Sequence, residues 1–289
     1  MAENEGTTEV VTFANPDVLS FYRELPFNFF GSPDDAARTI RKSDSTRAYP
    51  VLRSLFDQER RVLDVGCGAG WLVNSIDFHH RQLVHGIDFN NVAVEQAQAV
   101  NQILRGRAKF EVADLFTYQP TSRFDIVTSV GVLHHTDNCP FAVRRICRDY
   151  VRDGGHIFIG LYHSHGRKPF LEHFEKLKQQ GLSEEELYQA YRKLHKKLKD
   201  ETHIRSWFRD QVLHPHETQH TMKEMFQILQ DEGVELLKTS INQFRPIENV
   251  DEIFELEIQM EKIGKEKLEQ EDYYPGFFLF LGKKTSSSL

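Results

Sequence analysis

The sequence predicts an α/β fold, in which helices cover both faces of a mostly parallel sheet. Two observations predict it. Short apolar runs that resemble strands recur from Arg61 onward, and helix-like segments lie between the first of them. Strands that alternate with helices at this spacing are typical of βαβ units, whose crossover helices cover the sheet.

Five strands are predicted in chain order, at RVLDVG, LVHGID, AKFEVAD, FDIVTSV and GGHIFIGLY. Residues 71–75 and 91–104 are predicted as the helices between the first pairs, and PFAVRRICRDYV follows the fourth strand. We assign residues 56–162 to this core. Residues 1–55, which four prolines interrupt, are predicted to form a helical cap segment.

The alternation stops after Tyr162, and residues 163–216 are predicted to form a helical lid insertion. Within it, LSEEELYQAYRKLHKKLKDE is predicted as one long helix that begins with a capping box of Ser183 and Glu186. Its lysine-rich face is either a solvated surface or a docking patch. Residues 217–289 return to the core with the helix TMKEMFQILQDEG, the strand VELLKTSINQF, a charged helix and the last strand GFFLFLGKK.

Composition and charge limit the classes of function. The 289 residues are 39% hydrophobic, which suffices for one domain with an elaboration or for two small domains. A net charge of −7 argues against a protein that binds nucleic acid unaided. The acidic start lacks a signal-peptide pattern, every apolar run is too short to span a bilayer, and the three cysteines fit a reducing compartment. We therefore expect a cytoplasmic protein.

The stretch VLDVGCGAG is the most informative in the chain. Gly66, Gly68 and Gly70 follow a buried strand and predict a tight turn, in which the backbone comes close to a ligand. The spacing differs from the G-x-G-x-x-G of nicotinamide-binding turns, and no Lys-Ser/Thr pair follows as in a phosphate-binding loop. Asp64, two residues before the first glycine, favours a cationic ligand instead.

Four motifs, in order, resemble those of the class I S-adenosylmethionine-dependent methyltransferases between about Arg61 and Tyr162. They are VLDVGCGAG, Asp88 at the end of the second strand, Asp114 in VADLF, and FDIVTSVGVLHHTDN at the fourth strand. The resemblance implies a Rossmann-like fold with seven strands, the last of them antiparallel. It also implies S-adenosylmethionine as the methyl donor and S-adenosylhomocysteine as the product.

The resemblance further implies roles for the matching residues. The methionine part of the donor is expected in the glycine turn, which Asp64 orients, and both ribose hydroxyls are expected on the Asp88 carboxylate. Phe89 is expected to pack on adenine, Asp114 to accept from its amino group, and Val130 to lie near the sulfonium. The full set expected to bind the donor is Asp64, Gly66, Cys67, Gly68, Gly70, Asp88, Phe89, Ala113, Asp114, Leu115 and Val130.

The class of methyl acceptor is less defined. SVGVLHH stands in place of the N/D-P-P-Y/F tetrapeptide of adenine-amine methylases, and Cys139 in NCPF is in the wrong order for a pyrimidine methylase. VLHH resembles instead the branch that acts on small molecules, which has some tRNA modifiers among its relatives. We expect a small-molecule acceptor, no membrane or nucleic-acid partner, and a monomer or homodimer.

Candidate acceptor contacts follow the fourth and fifth strands, whose carboxyl ends face the ligand crevice of such a sheet. GLYHSHGRKP begins there, and its side chains either contact the acceptor or hydrogen-bond the loop. An arginine among them, Arg167, suits a carboxylate or phosphate. Catalytic roles are predicted for His134, His135, His163 and His216. The adjacent His134 and His135 point in different directions, so at most one of them faces the site, and a packing role is the alternative for this pair. Acceptor contacts are predicted for Tyr22, Phe29, Tyr162, His165, Arg167, His214 and His220.

HETQH, residues 216–220, is a literal match to the zinc-binding H-E-x-x-H. A zinc protease needs both histidines inside a helix, whereas Pro215 predicts that a helix only begins at the motif. His216 and His220 would then share one face of its first turns. We interpret them as residues of the acceptor cleft, keep a metal site or plain packing as alternatives, and assign no metal.

Three functions are open from the sequence. The first is a methyltransferase that acts on a small molecule under the lid. The second is an RNA or tRNA methyltransferase that docks through the lysine-rich helix, and the third is a non-catalytic partner protein. The intact glycine turn and Asp88 argue against the third. The sequence names neither the acceptor nor the atom, O, N, S or C, that receives the methyl group.

Overall fold

A computed structural model describes residues 16–24, 32–196, 198 and 200–285. One sheet of seven strands forms its centre. The strands are β1 (Arg61–Val65), β2 (Leu83–Asp88), β3 (Lys109–Val112), β4 (Phe124–Val130), β5 (Val151–Tyr162), β6 (Val234–Thr239) and β7 (Phe277–Lys284). The helices of the described residues are α1 (Pro16–Glu24), α2 (Pro33–Lys42), α3 (Pro50–Arg53), α4 (Trp71–His80), α5 (Asn91–Leu104), α6 (Cys139–Arg145), α7 (Ser164–Gln179), α8 (Glu184–Leu194), α9 (Glu201–Phe208), α10 (Met222–Asp231) and α11 (Val250–Glu269).

The strand order is β3-β2-β1-β4-β5-β7-β6. Strands β1 to β5 pair in parallel, and β7 runs antiparallel to both β5 and β6. The predicted Rossmann-like sheet of seven strands with an antiparallel last strand is therefore confirmed. The strand order reverses between β1 and β4, and in sheets of this kind the ligand crevice opens beyond the carboxyl ends at that point.

Each face of the sheet carries its own hydrophobic cluster, because successive side chains of a strand point to opposite faces. Val62 of β1 packs with Leu72 and Ile76 of α4 on one face. Leu63, the next residue, belongs to the cluster of the other face, which includes Met225 of α10. Helices on both faces leave the carboxyl edge of the sheet as the open side of the core.

The lid consists of α7, α8 and α9, which share a third hydrophobic cluster centred on Phe170, Tyr191 and Phe208. The prediction of one long helix over residues 182–201 is wrong. Helix α8 ends at Leu194, and α9 begins after Asp200, whose side chain accepts from the His203 amide. Because Asp200 caps the first turn of α9, a second helix begins there and α8 does not continue through it.

The prediction that a helix begins at HETQH is also wrong. Residues 214–220 form no helix, and α10 begins at Met222 with Thr221 as its N-cap, whose hydroxyl accepts from the Glu224 amide at 3.0 Å. The amides of the motif bond elsewhere, since Thr218 N donates to His134 O at 2.8 Å and His220 N to Tyr162 O at 2.9 Å. His220 and His216 therefore do not share a helix face.

No helix in the described part of the chain combines the length and the hydrophobicity that crossing a bilayer requires.

Candidate functional site

A cavity of about 430 Å³ opens at the carboxyl ends of β1, β2 and β4. The glycine turn and the ends of these strands form one end of it, which we call the donor end. Tyr162, Phe277, residues of α1 and α9, and the segments that follow α9 and α11 form the other part of the wall, which we call the lid end. The volume is in the range of pockets that hold small ligands.

The glycine turn forms the floor of the donor end. Gly66 and Gly68 have positive φ angles of 75° and 50°, a backbone conformation that side chains disfavour. A Cβ at Gly66 would lie 2.3 Å from Val132 Cγ1, whereas a Cβ at Gly68 would meet no protein atom within 4 Å. Gly70 lies outside the cavity wall, because it packs α4 against Ala97 of α5.

Three carboxylates line the donor end. Asp64 accepts from the Thr128 hydroxyl at 2.6 Å, and burial raises its pKa to about 7. Asp88 accepts from the amides of Gly68 at 2.8 Å and Asn90 at 2.9 Å, and burial raises its pKa as well. Asp114 is the third. The other predicted donor residues in the wall are Cys67, Phe89, Ala113, Leu115 and Val130.

Asp210 is the carboxylate of the lid end. It follows α9, is 6% exposed, and burial raises its pKa. The Tyr22 hydroxyl donates to its Oδ1 at 2.6 Å, and the Tyr162 hydroxyl lies 3.5 Å from its Oδ2. Gln211, Trp207 and the other side chains of this end are uncharged or aromatic.

His135 lies opposite Asp210, with 3.9 Å between Nε2 and Oδ1. Its Nδ1 lies 2.9 Å from the His216 carbonyl oxygen, which can only accept, so Nδ1 carries the proton. Nε2 then has a lone pair, but the atom itself is buried, and it has no hydrogen-bond partner among the described residues. Burial lowers the pKa of His135 to about 4, so the ring is neutral at ordinary pH.

The other predicted catalytic histidines, His134, His163 and His216, do not line the cavity. His134 is buried behind the Tyr162 ring, whose centroid lies 4.2 Å away. His163 is the N-cap of α7, and its Nε2 contacts the Glu257 carboxylate at 2.9 Å. The His216 ring contacts the Thr136 carbonyl oxygen at 3.1 Å. All three hold neighbouring segments together.

Some of the predicted acceptor contacts line the cavity and others do not. Tyr22 and Tyr162 line the cavity, Phe29 lies outside the described residues, and the remaining four, His165, Arg167, His214 and His220, are not part of the wall. Arg167 is fully buried and donates to Glu217 of HETQH, from Nε at 3.0 Å and from Nη2 at 2.8 Å. It therefore ties HETQH to α7.

Three potential metal ligands lie close together, since one ligand atom each of His135, Asp210 and His214 is within 4.8 Å of the other two. A metal ion could bridge these distances. The hydrogen bonds argue against this use. His214 Nδ1 accepts from the His216 amide at 3.1 Å, so the neutral ring carries its proton on Nε2. Only His135 and Asp210 then offer lone pairs, fewer than the three or four protein ligands that zinc sites use.

Four residues of the lid end were not predicted from the sequence, namely Asp210, Gln211, Trp207 and Tyr273. Three of them lie in WFRDQ, just before the histidines that drew attention. A signal existed there: Asp210 is an acid among aromatic and apolar residues, at the return from the lid to the sheet.

A family model described as a methyltransferase domain matches residues 39–228, about two thirds of the chain. Among curated proteins, the chain is similar to a tRNA U34 carboxymethyltransferase of Histophilus somni, with 32% identity over 136 residues, 46% of this chain and 41% of that protein. A ubiquinone biosynthesis O-methyltransferase of Neisseria meningitidis is 36% identical over 104 residues, 34% of this chain and 42% of that protein. The matches thus span less than half of these relatives' length.

Solved structures share the fold. The magnesium protoporphyrin IX methyltransferase of Synechocystis, with S-adenosylhomocysteine bound, aligns with a TM-score of 0.50 and 17% identity over 93% of both chains. PKMT2 of Rickettsia typhi, in complex with the same product, aligns with a TM-score of 0.57 and 14% identity over 80% of this chain and 49% of that chain. At these identities the likeness concerns the fold alone.

Proposed function

Since the chain belongs to the methyltransferase domain family and is an S-adenosylmethionine-dependent methyltransferase, we propose that its acceptor is a small molecule held under the lid. One observation carries the proposal: Tyr162 and Asp210 close the lid end of the cavity and are only 5% and 6% exposed. An acceptor that reaches them must fit inside the cavity, which a small molecule can do whole.

The donor end fits S-adenosylmethionine. The space beside Gly68 is open, and any other residue at this position would place its side chain there. The carboxylate of Asp88 lies in the same wall. We assign the methionine part to the glycine turn, the ribose to Asp88, and the adenine to the pocket of Phe89 and Asp114. Ala113, Leu115 and Val130 complete this assignment as apolar wall residues.

When bound, S-adenosylmethionine supplies a methyl group on a positively charged sulfur, so the leaving group is already activated. The residues of this chain have to align the acceptor and exclude water. Trp207, Tyr273 and Phe277 provide the apolar walls of the lid end. Of the four histidines predicted to be catalytic, His135 is the one in the wall, where its ring is a candidate contact of the acceptor.

A tRNA acceptor is the alternative, which the name of the Histophilus somni relative raises. Two arginines of the lid are not free to contact it. Arg192 pairs with Glu201 at 2.9 Å and Arg205 with Glu185 at 3.0 Å. Nucleic-acid binding relies on basic groups that are free to contact phosphates.

Donor binding is tested first, by isothermal titration calorimetry with S-adenosylhomocysteine. The wild type is expected to bind, and Asp88→Asn to bind at least ten-fold more weakly, since an amide cannot accept two hydroxyls as a carboxylate does. Asp231→Asn, an exposed acid that pairs with Arg144, is the matched control. Equal affinity of Asp88→Asn and the wild type would refute the assignment of the ribose.

The acceptor class is tested next, with donor labelled on its methyl group and a cell extract. Small molecules, RNA and protein are then separated, and the label in each is counted. Label in the dialysable fraction, absent with Asp88→Asn, supports the proposal. Label in the RNA fraction, together with salt-dependent binding of bulk tRNA, would contradict it in favour of the tRNA alternative.

A further inference from the structure

We propose that the acceptor is an amine that enters as a cation and is methylated on nitrogen, with Asp210 holding its positive charge. This inference rests on the proposed function, because it assigns a chemical class to the small molecule that the same cavity takes. Charge, hydrogen-bond capacity and the chemistry of the transfer support it in turn.

The charge of the cavity wall is one-sided. The described residues that line it include four carboxylates, Asp64, Asp88, Asp114 and Asp210, and neither a lysine nor an arginine. An acceptor with a carboxylate or phosphate would bring a further negative charge into a poorly solvated space, where like charges repel strongly. Three of the acids lie at the donor end, so Asp210 is the one that faces the acceptor.

Asp210 has no lysine or arginine as a partner among the described residues. Its oxygens accept hydrogen bonds from the hydroxyls of Tyr22 and Tyr162. Its one ion-pair neighbour among the described residues is His135 at 3.9 Å, and that ring is neutral. The Arg167 guanidinium lies over the Tyr162 ring, at 3.9 Å from its centroid, and is paired with Glu217. A cation in the cavity would supply the charge that Asp210 lacks.

Hydrogen bonding at Asp210 also favours a cation. Its carboxylate accepts from the hydroxyls of Tyr22 and Tyr162 and is the charged acceptor of the lid end, whereas Nε2 of His135 is itself buried. A protonated amine makes a charge-assisted hydrogen bond to a carboxylate, which is stronger than the bond that a neutral hydroxyl makes. The rings of Tyr22, Tyr162 and Trp207 in the same wall add aromatic surfaces, which attract cations.

The transfer step also favours nitrogen in this environment. The ammonium group first releases a proton to water, which leaves a neutral amine with a lone pair. The nitrogen–methyl bond then forms as the methyl–sulfur bond breaks, and the electron pair of that bond stays on sulfur. The positive charge thus passes from sulfur to nitrogen, next to Asp210. A hydroxyl acceptor would instead develop negative charge beside the same carboxylate, which is unfavourable.

Three probes of similar shape test the charge of the acceptor: 2-phenylethylamine, 2-phenylethanol and phenylacetate. Calorimetry with protein saturated with S-adenosylhomocysteine is expected to show the amine binding at least ten-fold more tightly than the alcohol or the acid. Asp210→Asn is expected to remove this preference while it keeps the affinity for S-adenosylhomocysteine, which also shows that the variant is folded. Equal binding of the probes, binding of none of them, or an amine preference that survives Asp210→Asn would overturn the inference.

The labelled product of the cell extract gives an independent readout by mass spectrometry. A methyl group on nitrogen in the dialysable product supports the inference, whereas a methyl on oxygen, sulfur or carbon overturns it and leaves the proposed function standing. Label in RNA would reject both. Titration with Zn²⁺ tests the alternative that these groups bind a metal ion. Tight, stoichiometric zinc binding that is lost in His214→Ala would mean that His135 and Asp210 hold a metal ion, and would also overturn the inference.

Discussion

Asp64 supports a prediction about stability and pH in the absence of the donor. Its carboxyl is 4% exposed and receives one side-chain hydrogen bond, from the Thr128 hydroxyl at 2.6 Å. Burial raises its pKa from 3.8 to about 7, against the lowering effect of Thr128, and the negative charge of Asp88 adds to the rise. The folded protein therefore holds this proton up to a higher pH than the unfolded chain does.

A carboxyl with a raised pKa weakens the fold as the pH rises. Below about 3.8 the group is protonated in both states and costs nothing, and between 3.8 and about 7 only the unfolded chain loses the proton. The difference of about three pH units corresponds to roughly 4 kcal/mol of the unfolding free energy, of which about 2.5 kcal/mol is lost between pH 5 and pH 8. Asp64→Asn removes this loss, because the amide keeps an oxygen for Thr128 and has no proton to release.

Urea unfolding at a series of pH values, followed by fluorescence without donor, measures the effect. Between pH 5 and pH 8 the wild type is expected to lose about 2.5 kcal/mol more than Asp64→Asn. Asp149→Asn, a surface acid paired with Arg145, controls for a general effect of removing one charge. Parallel pH profiles of the wild type and Asp64→Asn, or a variant that is less stable at pH 8, would refute the reasoning about burial.

Three further predictions concern the turn and the lid. Glu217→Ala should lower the free energy of urea unfolding by about 3–5 kcal/mol, because it leaves the buried Arg167 charge without a partner. The double variant Arg167→Met with Glu217→Leu should recover most of this loss. No recovery would contradict the pairing. Gly66→Ala should prevent folding, since its Cβ would lie 2.3 Å from Val132. Gly68→Ala should lower the free energy of unfolding by only about 1 kcal/mol, yet abolish S-adenosylhomocysteine binding in calorimetry. A Gly68→Ala protein that binds normally would count against the open turn as the donor site. Alanine at either histidine of HETQH should leave donor affinity unchanged, because neither lines the cavity; stoichiometric zinc in the wild type that these variants lose would reopen the metal interpretation.

The sequence alone was sufficient for the sheet and the glycine turn, because both depend on local patterns. A buried strand is recognisable as an apolar run, and a turn that needs positive φ angles requires glycine. Residues 91–104 form a helix with the predicted bounds, and the acids that end β1 and β2 both reach the cavity. Parallel strands place their carboxyl ends on one edge, so chain order already implies that these side chains meet.

The lid end could not be predicted in this way, because its members come from distant segments. Asp210 meets Tyr22, which lies 188 residues earlier in the chain, and no local pattern records that contact. His134 and His135 are neighbours in sequence, yet only His135 lines the cavity, and the direction in which each ring points depends on a short turn between β4 and α6.

HETQH illustrates the same division. Its residue types suggest a metal site on a helix, whereas the His214 backbone before Pro215, with φ −58° and ψ 132°, is not helical. Only the tertiary structure decided what the motif does: its backbone runs along the ends of β4 and β5, and its glutamate neutralises the buried Arg167. The sequence thus determined the fold, the donor turn and the acids beside it, since these follow from periodicity and backbone torsion. The tertiary structure decided which charges are paired and which face the cavity, because burial and pairing depend on residues far apart in the chain.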